Sequence, residues 1–422
     1  MNSVSKKNKY EIDMCNGSIM DKLISFSLPL MLSGILQLMF NAVDIVVVGR
    51  FSGSQALAAV GSTSALINMF TNLFIGVSLG ANVLAARFYA SGRSKEMSET
   101  VHTSITFALI SGIVMVFVGL FFSRFALELM ATPSDVIDQA ALYMKIYFLG
   151  MPFFMLYNYG AAILRAVGDT KRPLFFLIAA GLINAGLNMV LVIVFHLGVA
   201  GVAIATVISQ LVSCVLVLRC LYQSDSSYQL RFSKLTLKKN HLKQIFQVGI
   251  PAGIQSTVIN FSNVLLQSSV NSFGSIAMAG YTAANNIFGF LFVAVNSVTQ
   301  ACMSFTSQNF GVGKWKRMDK VLWNCIILSV VVAVLLGGGA YVFGPELLRI
   351  YTKDPQVIQC GVEILLYTTV TYFLCGLMDL FPGALRGMGH SAVPMFLSVI
   401  GTVGTRILWI FWIFPQHRSL DW

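Results

Sequence analysis

The chain has 422 residues, of which 56% are hydrophobic and only 11% are charged, with a formal net charge of +11. A soluble domain carries about 25% charged residues, so this composition excludes a soluble globular protein and indicates a membrane protein. Neither an HExxH motif nor a P-loop occurs, and the five histidines are dispersed. The sequence therefore contains no sign of an enzyme.

Eleven apolar stretches are long enough to cross a bilayer, which takes about 20 helical residues. They lie at 22–50, 57–86, 99–123, 136–163, 173–195, 199–222, 243–272, 277–306, 319–343, 357–385 and 393–414. We therefore predict an all-α, polytopic membrane protein. The first 18 residues are polar, and no secretory signal is evident.

Basic residues are concentrated on one predicted side of the membrane. If the N-terminus is cytoplasmic, 21 of the 28 Lys and Arg residues fall on the cytoplasmic side. This asymmetry is the positive-inside pattern of membrane proteins. It accounts for the net charge without a nucleic-acid partner.

The chain contains an internal duplication. The segment LRAVGDTKRP at 164–173 returns 221 positions later as LRGMGHSAVP at 385–394. A duplicated bundle of membrane helices is typical of secondary transporters. We predict an N-lobe at 1–222, a polar and basic cytoplasmic linker at 223–242, and a C-lobe at 243–422.

The repeat supports two further expectations. Pro29 and Pro251 occupy matching positions in the first span of each lobe, where a proline favours a kink, so we predict a pair of gating kinks, with simple packing as the alternative. The sixth span, 199–222, should recur at 420–443, but the chain ends at Trp422. We therefore expect 6 + 5 helices and an absent twelfth, either through truncation or in a natural eleven-helix protein.

Acidic residues inside a membrane span are costly and are expected to be paired, wet or protonated. Asp44 lies in the first span, and Gln37 and Asn41 share its helix face because they stand seven and three residues before it. Asn184 and Asn188 share a face of the fifth span and should meet Asp44. We predict a site there for a proton or a cation, with a neutral packing network as the alternative.

The C-lobe carries different charges. Asp379 and Arg406 lie in the tenth and eleventh spans and are close enough in predicted depth to pair, either as a static ion pair or as a functional one. Asn158 is the N-lobe counterpart of Asp379. Further polar candidates for the cavity, or for contacts between helices, are Thr206, Gln210, Gln255, Asn285, Asn286, Asn296 and Gln300.

Pro29 and five segments of the chain carry a family resemblance. The segments are NAVDIVVVGR at 41–50, GANVLAARFYASGR at 80–93, SQNFGVGK at 307–314 and the two repeated motifs at 164–173 and 385–394. Together they resemble the multidrug and toxic compound extrusion (MATE) family, in its bacterial branch related to the DinF and MepA transporters. The resemblance covers almost the whole chain.

The resemblance implies a twelve-helix, V-shaped antiporter of two lobes in the bacterial plasma membrane. Such a protein would export cationic amphipathic drugs in exchange for H⁺ or Na⁺ by alternating access, contribute to antibiotic resistance, act as a monomer and need no other cofactor. Asp44 matches the carboxylate of the family's N-lobe cation site, and Asn184 and Thr206 match other positions of that site. Asn188 stands where many members carry Asp, and Asp379 lies near an acid of the family's tenth helix.

Three alternatives remain open. A flippase of lipid-linked saccharides should carry several Arg or Lys residues in its cavity to hold pyrophosphate, whereas only Arg406 and Lys145 qualify. A membrane enzyme or scaffold should show a clustered nucleophile, base or metal set, and none is seen. A truncated chain that transports nothing is the third.

Overall fold

The computed structural model describes residues 9–130, 132–271 and 273–413, and these residues form helices and connecting segments without a strand. The predicted all-α fold is therefore confirmed. The helices of the first half are α1 Met20–Phe51, α2 Gly53–Ala90, α3 Ser94–Leu129, α4 Ile137–Leu149, α5 Met151–Ala166, α6 Lys171–Asn188 and α7 Gly198–Tyr222. Those of the second half are α8 Lys239–Asn271, α9 Ser275–Gly311, α10 Trp315–Val342, α11 Gly344–Arg349, α12 Pro355–Gly387, α13 Ala392–Ser398 and α14 Thr405–Leu408.

The predicted spans correspond to helices throughout the described residues. Length and apolar composition mark eight single helices there as able to cross a membrane, or ten crossings if two bent pairs each count as one. The bent pairs are α4 with α5, at 47°, and the two parts of α12, at 50°. The remaining predicted span is α8, which has 33 residues but is more polar than the others. Phe414 lies outside the described residues, and the expected absence of a twelfth helix stays a prediction.

Helical structure continues through both prolines predicted to be gating kinks. Pro29 lies inside the uninterrupted α1 and Pro251 inside the uninterrupted α8. Wider π-helical turns occur instead after α6, at Met189–Val194, after α13, at Val399–Gly404, and after α14, at Trp409–Ile413. Such turns are rare and are frequent at functional sites. Gating at the two prolines stays a prediction.

The repeated motif is a helix terminus. Gly168 and Gly389 have φ of 93° and 92°, in the left-handed region that glycine tolerates best. In both copies the amide of the residue after the glycine donates to the carbonyl of the Leu that begins the motif, at 2.9 Å. This is the hydrogen bond of a Schellman motif, so each copy ends one helix and redirects the chain into the next.

The first helix packs with both halves of the molecule. Near its start, Leu23 and Phe26 are fully buried in an apolar cluster with α9, α10 and α12, and Phe26 makes an edge-to-face contact with Phe305 at 5.8 Å. Near its end, Val47 and Val48 belong to the large apolar cluster of the first half. The chain therefore passes between the halves within α1.

The two halves pack closely together where α2 crosses α8. A Cβ atom built on Gly76 would lie 2.3 Å from the Gly253 Cα, and one built on Gly80 would lie 2.1 Å from the Ile245 carbonyl oxygen. Glycine is therefore required at both positions for this approach, which agrees with the role of small residues between membrane helices. The crossing lies toward one end of the bundle.

The same end holds the N-terminal segment, residues 9–18, which we call the strap, and the connection between α7 and α8. We call it the strap end. Polar bonds join the halves here: Ser307 Oγ donates to the Val83 carbonyl at 2.6 Å, and Gln308 Nε2 donates to the Ala166 carbonyl at 2.7 Å. The halves are therefore closed against each other at the strap end.

The predicted linker is docked onto the first half. Tyr228 and Leu230 are fully buried, and the backbone amide of Arg231 donates to His102 Nε2 at 3.0 Å. Near the end of the linker, the Lys238 amide donates to Thr103 Oγ1 at 3.2 Å. The helix α8 then begins at Lys239, four residues before the predicted span.

Candidate ion and substrate sites

The structure brings together the polar residues predicted around Asp44. Asn188 Nδ2 donates to Asp44 Oδ1 and also to Asn184 Oδ1, the latter at 3.2 Å. Asn184 Nδ2 reaches Thr206 Oγ1 at 3.5 Å, and the Thr206 hydroxyl also interacts with Asp44. Three helices, α1, α6 and α7, therefore build one polar cluster inside the first half.

Helical spacing explains how this cluster forms. Asn184 and Asn188 are four residues apart in α6 and point to one side of it. Both side chains are buried, at 5% and 0% exposure. Burial of amide groups is costly unless they are hydrogen-bonded, so the mutual bonds of the cluster stabilise it within the apolar bundle.

The Asp44 carboxylate has no basic partner in the described part of the chain, where no Lys or Arg forms an ion pair with it. The atoms that surround it are amide and hydroxyl groups, and the phenols of Tyr143 and Tyr147 lie near enough to interact with its charge. The Asn188 Oδ1 atom is buried and accepts no hydrogen bond. The cluster thus holds one carboxyl group without a basic partner and a spare oxygen acceptor.

The other predicted residues of this face do not join the cluster. Gln37 and Asn41 are exposed, while Asn158 Nδ2 donates to the Phe154 carbonyl of its own helix at 2.8 Å. Asn285 is also exposed. Their predicted place in a substrate cavity stays a prediction.

The predicted pairing of Asp379 with Arg406 is wrong. Arg406 Nη1 donates instead to Asn263 Oδ1 at 2.7 Å and to Ser262 Oγ at 3.3 Å. The charge that acts on Asp379 is that of Arg386, seven residues later in α12. Predicted depth in the membrane does not specify which side of its helix a residue occupies. The Arg406 side chain points to α8.

A second polar group forms around Arg386, which the sequence had placed at the end of a span. Arg386 Nη2 donates to Gln255 Oε1 at 2.5 Å, and Gln255 Nε2 donates to Ser398 Oγ at 2.8 Å. Gln255 is thus a buried polar residue of the second half, and its predicted place in a substrate cavity stays a prediction. Arg386 occupies the position of Arg165 in the repeated motif, and this repetition could have identified Arg386 as a functional candidate.

The repeat also shows how the two halves differ at matching positions. A cavity of about 220 Å³ in the second half is lined by Leu266, Thr405, Arg406, Trp409 and Ile410. Counted from the matched prolines, Leu266 takes the place of Asp44. By the 221-residue offset, Thr405 and Trp409 take the places of the two asparagines. A site with a carboxyl group in the first half therefore corresponds to a positively charged, aromatic one in the second.

Two duplicated halves of membrane helices with a polar site inside one half are the architecture of a secondary transporter. The family model described as MatE matches residues 29–190 and residues 251–412, one match in each half. The chain therefore belongs to the MatE family, and the resemblance drawn from its motifs is confirmed. The paired matches also agree with the internal duplication.

Related proteins cover nearly the whole chain. The probable multidrug resistance protein YoeA of Bacillus subtilis is 29% identical over 391 residues, which are 90% of this chain and 84% of YoeA. The multidrug export protein MepA of Staphylococcus aureus is 24% identical over 92% of this chain and 86% of its own. The solved structure of a MOP superfamily transporter from Pyrococcus furiosus has a TM-score of 0.89 at 20% identity, covering 96% of this chain and 92% of its own.

Proposed function

We propose that this protein is a proton-coupled multidrug antiporter that exports cationic amphipathic compounds, with Asp44 as the proton carrier. The observation that carries the proposal is the single carboxylate of Asp44 within a buried cluster of neutral amide and hydroxyl groups. The names of the relatives YoeA and MepA, which are multidrug resistance and export proteins, support the substrate class.

The arrangement of Asn188 favours a proton over Na⁺. A hard cation needs oxygen ligands, but the amide nitrogen of Asn188 lies between Asp44 and Asn184 and donates to both. Na⁺ would require this amide to turn so that Oδ1 faces the carboxylate, whereas a proton on Asp44 changes the hydrogen bonding of one oxygen. A protonated Asp44 keeps an oxygen that accepts the bond from Asn188 Nδ2, so the proton is accommodated without a turn of the amide.

Coupling follows if the proton and the drug prefer different arrangements of the two halves. We propose that the strap end faces the cytoplasm, since Arg93, Lys314 and Arg317 lie there and basic residues favour that side. With that orientation, the closed contact of the halves at the strap end would leave the Asp44 cluster on the side of the external medium. Protonation of Asp44 from the external medium would favour the conformational change that exposes the site to the cytoplasm.

The experiment measures dye efflux as uptake into everted membrane vesicles, whose lumen corresponds to the outside of the cell, under an imposed pH gradient or an imposed Na⁺ gradient. We expect the pH gradient alone to drive efflux, and Asp44→Asn to abolish it while the protein is still inserted. The matched control is Asp138→Asn, which removes an exposed carboxylate. Efflux driven only by Na⁺, or undiminished in Asp44→Asn, would refute proton coupling at Asp44, and transport of lipid-linked saccharide without dye efflux would indicate a flippase.

A further inference from the structure

The second half binds residues 14–17 of the strap. Asn309, Lys314 and Arg317 donate five hydrogen bonds of 2.9–3.2 Å to the backbone carbonyl groups of residues 14–17. The Met14 side chain is fully buried in the same apolar cluster as the start of α1. Residues 14–17 are therefore attached to the second half by backbone, side-chain and apolar contacts together.

The first half holds the strap through a smaller set of contacts. Tyr89 Oη donates to Glu11 Oε2 at 2.8 Å, and Tyr228 Oη donates to Glu11 Oε1 at 2.7 Å. One tyrosine belongs to α2 and the other to the docked linker. The Ile12 backbone also lies against Gly168, where a Cβ atom would come within 2.6 Å of it.

The two attachments differ in strength. Five bonds and a buried side chain hold residues 14–17 to the second half. The first half contributes two hydroxyl bonds to the Glu11 carboxylate, the contact of Gly168 with the Ile12 backbone, and the Arg172 guanidinium over the Tyr10 ring at 5.7 Å. Because the strap is continuous with α1, whose first turns also pack on the second half, separation of the halves would break the weaker attachment first.

We propose that Glu11, with the hydroxyl groups of Tyr89 and Tyr228, is a releasable catch that holds the strap end closed. When this end opens, residues 14–17 stay with the second half and Glu11 leaves the two tyrosines. The inference rests on the proposed function in one respect, namely that the transporter alternates between closed and open states of the strap end.

The chemistry of the contact fits a catch. Burial raises the pKa of the Tyr228 hydroxyl, so this group remains a protonated donor at neutral pH. Bonds from neutral hydroxyls to a carboxylate are stronger than bonds between neutral groups. Once released, the carboxylate and both hydroxyls can be hydrated, which makes the exchange reversible.

The opening of the strap end can be measured by thiol labelling of Val83→Cys. Val83 is 1% exposed and packs between the halves against Val248 and Met303, so its labelling requires separation of the halves. The assay uses purified protein in nanodiscs, a background in which the seven cysteines are replaced, and a hydrophilic maleimide. We expect the double substitution Tyr89→Phe and Tyr228→Phe to raise the labelling rate by at least about tenfold.

A matched control is Tyr222→Phe, which removes the hydroxyl of an exposed tyrosine and should leave the rate unchanged. Glu11→Gln should raise the rate on its own and add little when both tyrosines are already replaced, since all three changes break the same bonds. An unchanged rate in the double variant, or fully additive effects, would overturn the catch. If the tyrosine variants do not fold, Glu11→Gln decides alone.

Failure of this inference differs from failure of the proposed function. The labelling rate is measured without a drug and without an ion gradient, so it does not depend on proton coupling. Wild-type efflux driven by pH, together with unaltered labelling in the tyrosine variants, would remove the catch and leave the antiporter in place. Increased labelling of the tyrosine variants, together with no pH-driven efflux by the wild type, would support the catch and refute the proton-coupled antiporter.

Discussion

Replacement of Gly80 by Ala tests whether the crossing of α2 and α8 is what closes the strap end. The new methyl group would lie 2.1 Å from the Ile245 carbonyl oxygen and 3.0 Å from the Gly249 nitrogen, whereas nonbonded carbon atoms are most stable at about 3.5–4.0 Å. Both neighbours are backbone atoms, so no side-chain rotation relieves the clash. The helices must move apart by roughly 1 Å or more.

Overpacking of a well-packed interior costs about 1–3 kcal/mol. If this cost falls only on the closed state, the ratio of closed to open molecules falls by about five- to 150-fold, since 1.4 kcal/mol is a factor of ten. Labelling of Val83→Cys should rise accordingly, and efflux should fall because the transporter no longer closes this end.

The control is Gly61→Ala in the same helix, where the added Cβ meets nothing within 4 Å. Both substitutions change the helix propensity equally, by about 1 kcal/mol in favour of Ala, so the difference between them isolates the clash. Equal labelling rates in the two variants would refute the reasoning that this crossing must remain in contact for closure.

Three further predictions use efflux and thermal-stability measurements. Asn188→Asp should add a second carboxylate to the cluster of Asp44 and give efflux a dependence on Na⁺, which a Na⁺ titration would reveal or exclude. Asp379→Asn should raise the dye concentration needed for half-maximal efflux by about tenfold through loss of a charge contact, with an unchanged pH dependence. Gly168→Ala should lower the thermal midpoint about 2–4 °C more than Gly313→Ala, because both have positive φ but only Gly168 adjoins the strap.

The sequence was sufficient to predict the features that depend on periodicity within one helix or on the repeat. The apolar spans and the duplication lead directly to the two-part bundle. The four-residue spacing of Asn184 and Asn188 places both on one side of α6, where Asn188 bonds to Asp44 and to Asn184. These inferences succeed because a helix fixes the relative directions of residues four apart.

Contacts between separate helices were less accessible to prediction. Asp379 and Arg406 have suitable depths, but helix rotation directs Arg406 to Asn263. Glu11 lies in a polar terminal segment without periodicity, and its partners are 78 and 217 residues away in the chain. Only packing in three dimensions determines such pairs, so no local pattern could have identified them.

The two places where the chain passes between the halves have a mechanical consequence. One is within α1, between its buried ends, and the other follows Lys238, because the linker is fixed to the first half up to that residue. Neither connection contains a slack segment that would permit the halves to slide apart. Two fixed covalent connections define a line, and a rotation about that line stretches neither of them. The chain therefore favours a rocking movement about this axis as the motion that opens one end of the protein and closes the other.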